Sequence, residues 1–234
     1  MCIRDRVKVL ELFSGTHSVG KCCKELGWDV LSVDIDGRAD INISILDWDY
    51  KTYKKDEFDI IWASPPCATF SHLQFSQLGR MRKGKVFTKE QMELDMINIG
   101  DPLVLKALEI IDYFKPEYWF MENPQTGRLK NRPYMKDIIF YDVDYCMYSD
   151  WGYRKRTRIW TNKKDWNALT CDGKGTCGNM IGSIHKTNLG NADRVKRAKL
   201  KMELDGDVSG INQPTSLDDR YRIPPDLIYS LLLE

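Results

Sequence analysis

The sequence lacks any apolar run approaching the roughly 20 residues of a membrane-spanning helix, so neither a span nor a membrane partner is expected. It also lacks a disulfide framework. Its seven cysteines are odd in number and irregular in spacing, with Cys22 and Cys23 adjacent. That pattern speaks against a stapled secreted scaffold and for a reducing interior, the cytoplasm of a bacterial cell or a viral host. Net charge is nearly absent, formally +1, so the molecule as a whole has no electrostatic pull on a polyanion. Internal repeats and low-complexity tracts are missing as well. The first apolar run, VKVLELF (7–13), is too short for a signal peptide and carries Lys8 and Glu11. The MCIRDR ahead of it fits no element and is expected to lie outside the fold.

The 234 residues, 42% hydrophobic and 29% charged, suit one large or two small domains with a sizeable core. Charge is unevenly spread, with 13 Lys or Arg against three Asp over residues 151–201. A basic segment on a neutral chain points to a polyanion on one face.

Apolar runs alternate with helical stretches. VKVLELF, DVLSVDID (29–36), FDIIWASPP (58–66) and EYWFMENP (117–124) read as strands. VGKCCKELG, with Gly27 as its stop, and PLVLKALEIIDYF (102–114), apolar at 103, 104, 107, 110, 111 and 114, read as helices. Strands this apolar, separated by helices, imply an α/β fold with a doubly wound, mostly parallel sheet. VDYCMY (143–148) and TRIWTN (157–162) would pair as antiparallel strands. NADRVKRAKLKM reads as a short helix, and Pro224 and Pro225 open a terminal one.

Ligands of such sheets gather at the carboxyl ends of the strands. The first end carries Phe13, Ser14, Gly15 and Thr16, a turn that is either a plain strand-to-helix link or a cradle for a nucleotide-like ligand. The second carries Asp34, Ile35 and Asp36, either solvated acids or a ribose-binding carboxylate. Asp47 is a further acid before the third strand. That strand stops on Pro65 and Pro66 and then presents Cys67, reactive only as a thiolate. The fourth ends in Glu122 and Asn123, which sets an acid one strand over from the thiol. Packing alone gives no reason for that pair. Arg154, Arg156 and Arg158, spaced to share one strand face, either solvate an edge or surround something anionic. After Cys67, Ser71 opens a glycine-containing loop with Arg80, Arg82, Lys83 and Lys85. It is either a plain surface loop or a mobile basic one beside the nucleophile.

Taken in order, VLELFSGTHSVG, VDID, SPPCATFS, WFMENP and YRKRTRIW resemble the DNA cytosine-5 methyltransferase family over residues 7–162. The resemblance implies a Rossmann-like domain that uses S-adenosylmethionine, extrudes a cytosine and methylates its carbon 5. It implies Cys67 as the nucleophile toward carbon 6, Glu122 as the acid at the ring nitrogen, and Asn123 as the residue shaping that turn. Arg156 and Arg158 would contact the target nucleotide. Phe13, Ser14, Gly15, Thr16, Asp34, Ile35, Asp47 and Pro66 would hold the cofactor, while Ser71, Arg80 and Arg82 would meet double-stranded DNA. Residues 7–162 would form the catalytic domain, 163–216 a small basic recognition region, and 217–234 a helix returning to the catalytic domain. A monomer is expected.

Departures from the family pattern are Ala68 after the cysteine, Arg154 in place of a glutamine, His17 and Ser18 in place of glycines, and Pro124 in place of valine. A C-terminal Gly-Asn motif is missing. Two alternatives share these parts: a tRNA cytosine-5 methyltransferase and a non-catalytic DNA-binding relative. Cys171, Cys177 and His185 hint at zinc, but CDGKGTC is not a tight pair and no fourth ligand is evident, so no metal is expected.

Overall fold

A computed structural model describes residues 6–82, 84–181, 184–187 and 217–234. The expectations for MCIRDR and for a helix at NADRVKRAKLKM fall mainly or wholly outside these residues. The described chain forms two compact units, one running to Tyr141 with Arg158–Asp165, the other comprising Asp142–Thr157 and everything from Trp166 on.

A sheet of seven strands is built from β1 (Lys8–Leu12), β2 (Asp29–Asp34), β3 (Ile41–Asn42), β4 (Ile60–Ala63), β7 (Tyr118–Pro124), β8 (Phe140–Asp144) and β9 (Arg156–Thr161). Two short hairpins, β5 (Met81–Arg82) with β6 (Lys85–Val86) and β10 (Met180–Ile181) with β11 (Ile184–His185), stand apart from it. The sheet order is β3-β2-β1-β4-β7-β9-β8, and the pairs from β3 to β7 are parallel. β1 lies between β2 and β4, so the strand order reverses there. Such a reversal opens a crevice at the carboxyl ends of the two diverging strands.

The strands sit where the apolar runs place them because β1 and β4 are covered on both faces. Leu10, Leu12, Ile61, Trp62 and Ala63 are fully buried. Helix α1 (Ser18–Glu25) ends before Gly27, whose φ of 77° reverses the chain. Helix α2 (Lys89–Asp95) is capped by Thr88, whose hydroxyl accepts the Gln91 N–H, and passes through a π-type turn, Met96–Gly100, into α3 (Asp101–Phe114). On α3, Val104, Ala107, Ile110, Ile111 and Phe114 are buried, at the spacing of one helix face. Phe114 meets Phe58 edge to face at 5.0 Å, and each such ring contributes about 1.5–3 kcal/mol by leaving water. Asn162 locks β9 beside β7: its Oδ1 accepts the Trp119 N–H and its Nδ2 donates to Glu117 O, both at 2.9 Å.

Two local expectations are corrected. The strand expected at 143–148 is β8, Phe140–Asp144, and Tyr145–Met147 forms a tight helical turn instead. The Asn179 amide draws the Cys146 and Ser149 carbonyls toward it at 2.8 and 2.7 Å, which an extended strand would not permit. Nor do three arginines share one strand face. Arg154 precedes β9, and its guanidinium grips both oxygens of Asp144 at 2.8 Å. Its anionic partner belongs to its own chain. Residues Pro225–Leu233 form the expected terminal helix, which belongs to the second unit. Among the described residues no helix is long and apolar enough to cross a membrane.

Candidate active site

The turn after β1 concentrates unusual backbone. Phe13, Gly15 and His17 all have positive φ, at 57°, 45° and 55°. Non-glycine residues held there cost about 1–3 kcal/mol each, and such strain collects at ligand clamps. His17 and Phe13 thus adopt a glycine-like conformation without being glycine. Asp34 at the end of β2 accepts the Gly15 N–H at 2.9 Å on one oxygen and the Asp36 N–H at 3.0 Å on the other. A carboxylate has about four lone-pair positions, so two hydroxyls could still be received. Ile35 beside it is 78% exposed, a bare apolar surface next to an acid. The Ser14 hydroxyl is buried with no hydrogen-bond partner among the described residues. Thr16 pairs its hydroxyl with that of Ser18, and Asp47 is exposed beyond β3.

Glu11 is a site residue that sequence reasoning passed over, because it sits inside an apolar strand. It is 3% exposed, and its carboxyl receives the Val19 and Gly20 N–H groups at the start of α1, at 3.2 and 3.1 Å. A Cβ on Gly20 would lie 2.6 Å from the Glu11 carboxyl, so a side chain there would displace that carboxyl. Burial outweighs the two donors and pushes this carboxyl from its ordinary 4.5 up to about 8. The folded state therefore holds a proton that the unfolded state releases. Its stabilising contribution is full below pH 4.5 and is lost as pH rises through about 8. Unfolding free energy should fall across that window by up to about 1.4 kcal/mol per pH unit from this group. Denaturant melts of the native chain and of Glu11→Gln should differ in slope there; parallel profiles would refute the assignment.

The β4 and β7 ends are locked in register, with Ala63 opposite Met121. Glu122 is the next residue on β7, and Cys67 follows Ala63 by one short turn. Asn123, fully buried, donates its amide to Pro65 O at 2.8 Å, tying the acid's strand to the proline turn. Cys67 itself is half-buried, with φ −82° and ψ −5°, and its carbonyl receives the Phe70 N–H at 3.1 Å. Glu122 is 7% exposed. Pro65 is buried and Pro66 exposed. The Ser71 hydroxyl accepts the Leu73 N–H and so caps the following turn.

Support for this corner comes from behind. Arg128 N–H donates to Phe70 O at 2.8 Å, and its guanidinium bonds Glu93 at 2.7 Å. Arg132 joins Glu93 to Asp101, and Asp101 also receives the Tyr134 hydroxyl. Gly100 packs so tightly that a Cβ there would meet Thr69 and come within 2.7 Å of the buried Phe70 ring. Gly100→Ala should cost about 1–3 kcal/mol in stability. It should reduce turnover more steeply, about 10²-fold, because a shift near 1 Å at Cys67 suffices if its thiol takes part in the reaction. Paired melting and turnover assays check this; equal, small losses would contradict it.

The basic stretch after Cys67 is a hairpin. Gly79 N and Phe87 O, and Phe87 N and Arg80 O, bond at 2.9 and 2.8 Å, and Gly79 and Gly84 supply positive φ. Arg80 and Arg82 are exposed, with Arg82 over the Phe87 ring at 4.5 Å. On β9, Arg156 is exposed, while the Arg158 guanidinium stacks on Phe140 at 3.6 Å. Geometry thus brings Cys67, Glu122 and Asn123 to adjoining strand ends and gathers Phe13–Thr16 with Asp34.

No family model matches the chain. A curated relative, a probable DNA (cytosine-5)-methyltransferase of Frog virus 3 (isolate Goorha), is 42% identical over 229 residues, 97% of this chain and 99% of the relative. The chain belongs to the DNA (cytosine-5)-methyltransferase family. As a member it is a methyltransferase of Rossmann-like fold, and membership implies S-adenosylmethionine as its cofactor. Solved structures similar to it include an S. pombe Dnmt2 methyltransferase, at 15% identity and TM-score 0.45, and a Spodoptera frugiperda DNMT2 mutant, at 23% and 0.42. Each match covers 71% of this chain and about half of the solved one, 52% and 53%. The strand ends fit that cofactor: a lone buried hydroxyl at Ser14, spare acceptor capacity on Asp34 and the bare Ile35 surface are what a nucleoside needs.

Proposed function

We propose that this methyltransferase acts on carbon 5 of cytosine in double-stranded DNA, through a transient bond between Cys67 and carbon 6 of an extruded base. The observation that carries the reading is the β4–β7 register, with Asn123 bonded to Pro65, which fixes thiol and carboxyl at adjoining strand ends. Carbon 5 is a poor nucleophile while its electrons belong to the ring. A thiolate adding to carbon 6 breaks that conjugation and turns carbon 5 into an enamine carbon. Glu122 lends a proton or hydrogen bond to ring nitrogen 3 and drains the charge that develops there. S-adenosylmethionine supplies the electrophilic methyl. Loss of the carbon-5 proton then expels the thiolate and restores the ring.

Asp34 would take the ribose hydroxyls and Ile35 the adenine face, with Asp47 at the adenine amino group. Phe13, Ser14, Gly15, Thr16 and Pro66 would complete that pocket. Arg158 would leave Phe140 to meet the target nucleotide, joined by Arg156 and Ser71, while Asn123 would shape the turn that carries Glu122. Arg80 and Arg82, on an exposed hairpin, would contact phosphates. Extrusion is required because carbon 6 is shielded within the stack. The basic residues from 163 to 216 would read the DNA, and residues 7–162 would carry the chemistry. A reducing host-cell interior suits the described cysteines, none of which forms a disulfide.

The test is transfer of labelled methyl from S-adenosylmethionine to duplex DNA or to tRNA, followed by mapping of the labelled base. Label on carbon 5 of DNA cytosine supports the reading. Label on tRNA alone, or on an amino group, overturns it.

A further inference from the structure

We propose that Cys146, Cys171, Cys177 and His185 hold one zinc ion, as a structural centre inside the second unit. Their four ligand atoms all lie within 4.8 Å of one another. Two of the separations are 3.7 Å, from Cys171 Sγ to His185 Nε2, and 3.6 Å, from Cys177 Sγ to the same nitrogen. A tetrahedral zinc with bonds of about 2.3 Å to sulfur and 2.0–2.1 Å to nitrogen spaces those atoms at about 3.5–3.6 Å. The ring nitrogen therefore already stands at coordination distance from both sulfurs. Cys146 is the ligand that sequence spacing did not reveal; it comes from the helical turn after β8, 25 residues before Cys171.

The surroundings are those of a held site. Gly173 N–H points at Cys171 Sγ at 3.4 Å, the kind of donor that steadies a thiolate. Asp144 accepts the Cys171 N–H at 2.8 Å on the same oxygen that binds Arg154, which sets a cation beside the cluster. Asn179, 4% exposed, bonds the carbonyls of both Cys146 and Cys177, at 2.8 and 3.1 Å. His185 is positioned by the hairpin register that pairs it with Met180. Cys146 and Cys177 also line a cavity of about 750 Å³, which gives an ion a way in.

The donor set decides the metal and the role. Three soft sulfurs and one imidazole favour zinc over magnesium or calcium, which take oxygen. Four protein ligands leave no open position for water, so the centre is structural rather than catalytic. It would join the turn, the 171–177 loop and the β10–β11 hairpin, segments with little regular structure of their own. This inference stands independently of the reaction proposed for Cys67.

The full chain, produced in zinc-supplemented medium and purified without chelator, should carry one zinc per molecule by elemental mass spectrometry. Cys146→Ser and Cys177→Ser should each lower that content about tenfold or more, while Cys22→Ser, outside the cluster, leaves it unchanged. Should the ligand variants fail to fold, cobalt exchanged into the native chain keeps the question decidable. It should show the intense visible bands of a tetrahedral site and a sulfur-to-cobalt charge-transfer band. A folded, zinc-free native chain, an octahedral cobalt spectrum, or a disulfide joining Cys171 to Cys177 would each overturn the proposal.

Discussion

Replacing Cys67 by alanine is expected to lower methyl transfer roughly 10⁴-fold or more, the scale of loss when a covalent nucleophile is removed. That corresponds to about 5.5 kcal/mol of transition-state stabilisation. Folding should hardly notice. Cys67 is half-buried, caps nothing with its side chain and stands just before the short Ala68–Phe70 turn, so alanine costs within about 0.5 kcal/mol. Cofactor binding should also persist, because most of the residues proposed for it, Phe13–Thr16 with Asp34 and Ile35, lie on the β1 and β2 ends. Turnover, calorimetric binding of S-adenosylmethionine and thermal melting of one preparation separate these quantities. An alanine variant that methylates at the native rate removes the covalent step from the account.

Glu122→Gln is the second large effect. The amide fills the same volume at a position 7% exposed, so the β7 end keeps its shape. It can hydrogen-bond the base but has no acidic proton to lend, and general acid catalysis of this kind contributes about 10²–10⁴-fold. A kcat loss in that range is expected, with KM for DNA changed far less. The split matters: a rise in KM at unchanged kcat would assign Glu122 to base recognition alone. Asn123, by contrast, is a positioning residue. Its tie to Pro65 sets the proline turn, so its loss should move thiol and carboxyl together.

Much of this is legible in the sequence, for a specific reason. Strands covered on both faces leave long apolar runs, and each run here ends on a residue that breaks its pattern: Ser14, Asp34, Pro65, Glu122. The face of α3 was equally plain, since its buried residues recur at 3.6-residue spacing. What escaped was set by partners distant in sequence. Arg154 was read with Arg156 and Arg158, yet Asp144 takes it away from the strand. Glu11 passed for one polar residue in an apolar strand, and only the start of α1 explains it. Cys146 read as part of VDYCMY, because nothing local marks a ligand whose companions lie 25 to 39 residues onward. The basic loop proved to be a hairpin, for which Gly79 and Gly84 were the available signal.

Duplex DNA carrying 5-fluorocytosine tests the chemistry most directly, because fluorine cannot leave carbon 5 as a proton does and the sulfur–carbon bond is trapped. Incubated with S-adenosylmethionine, the native chain should yield a denaturation-resistant complex whose peptide mass places the modified base on Cys67. A chain that methylates ordinary DNA yet leaves no such complex, or carries the base on another residue, would contradict the account.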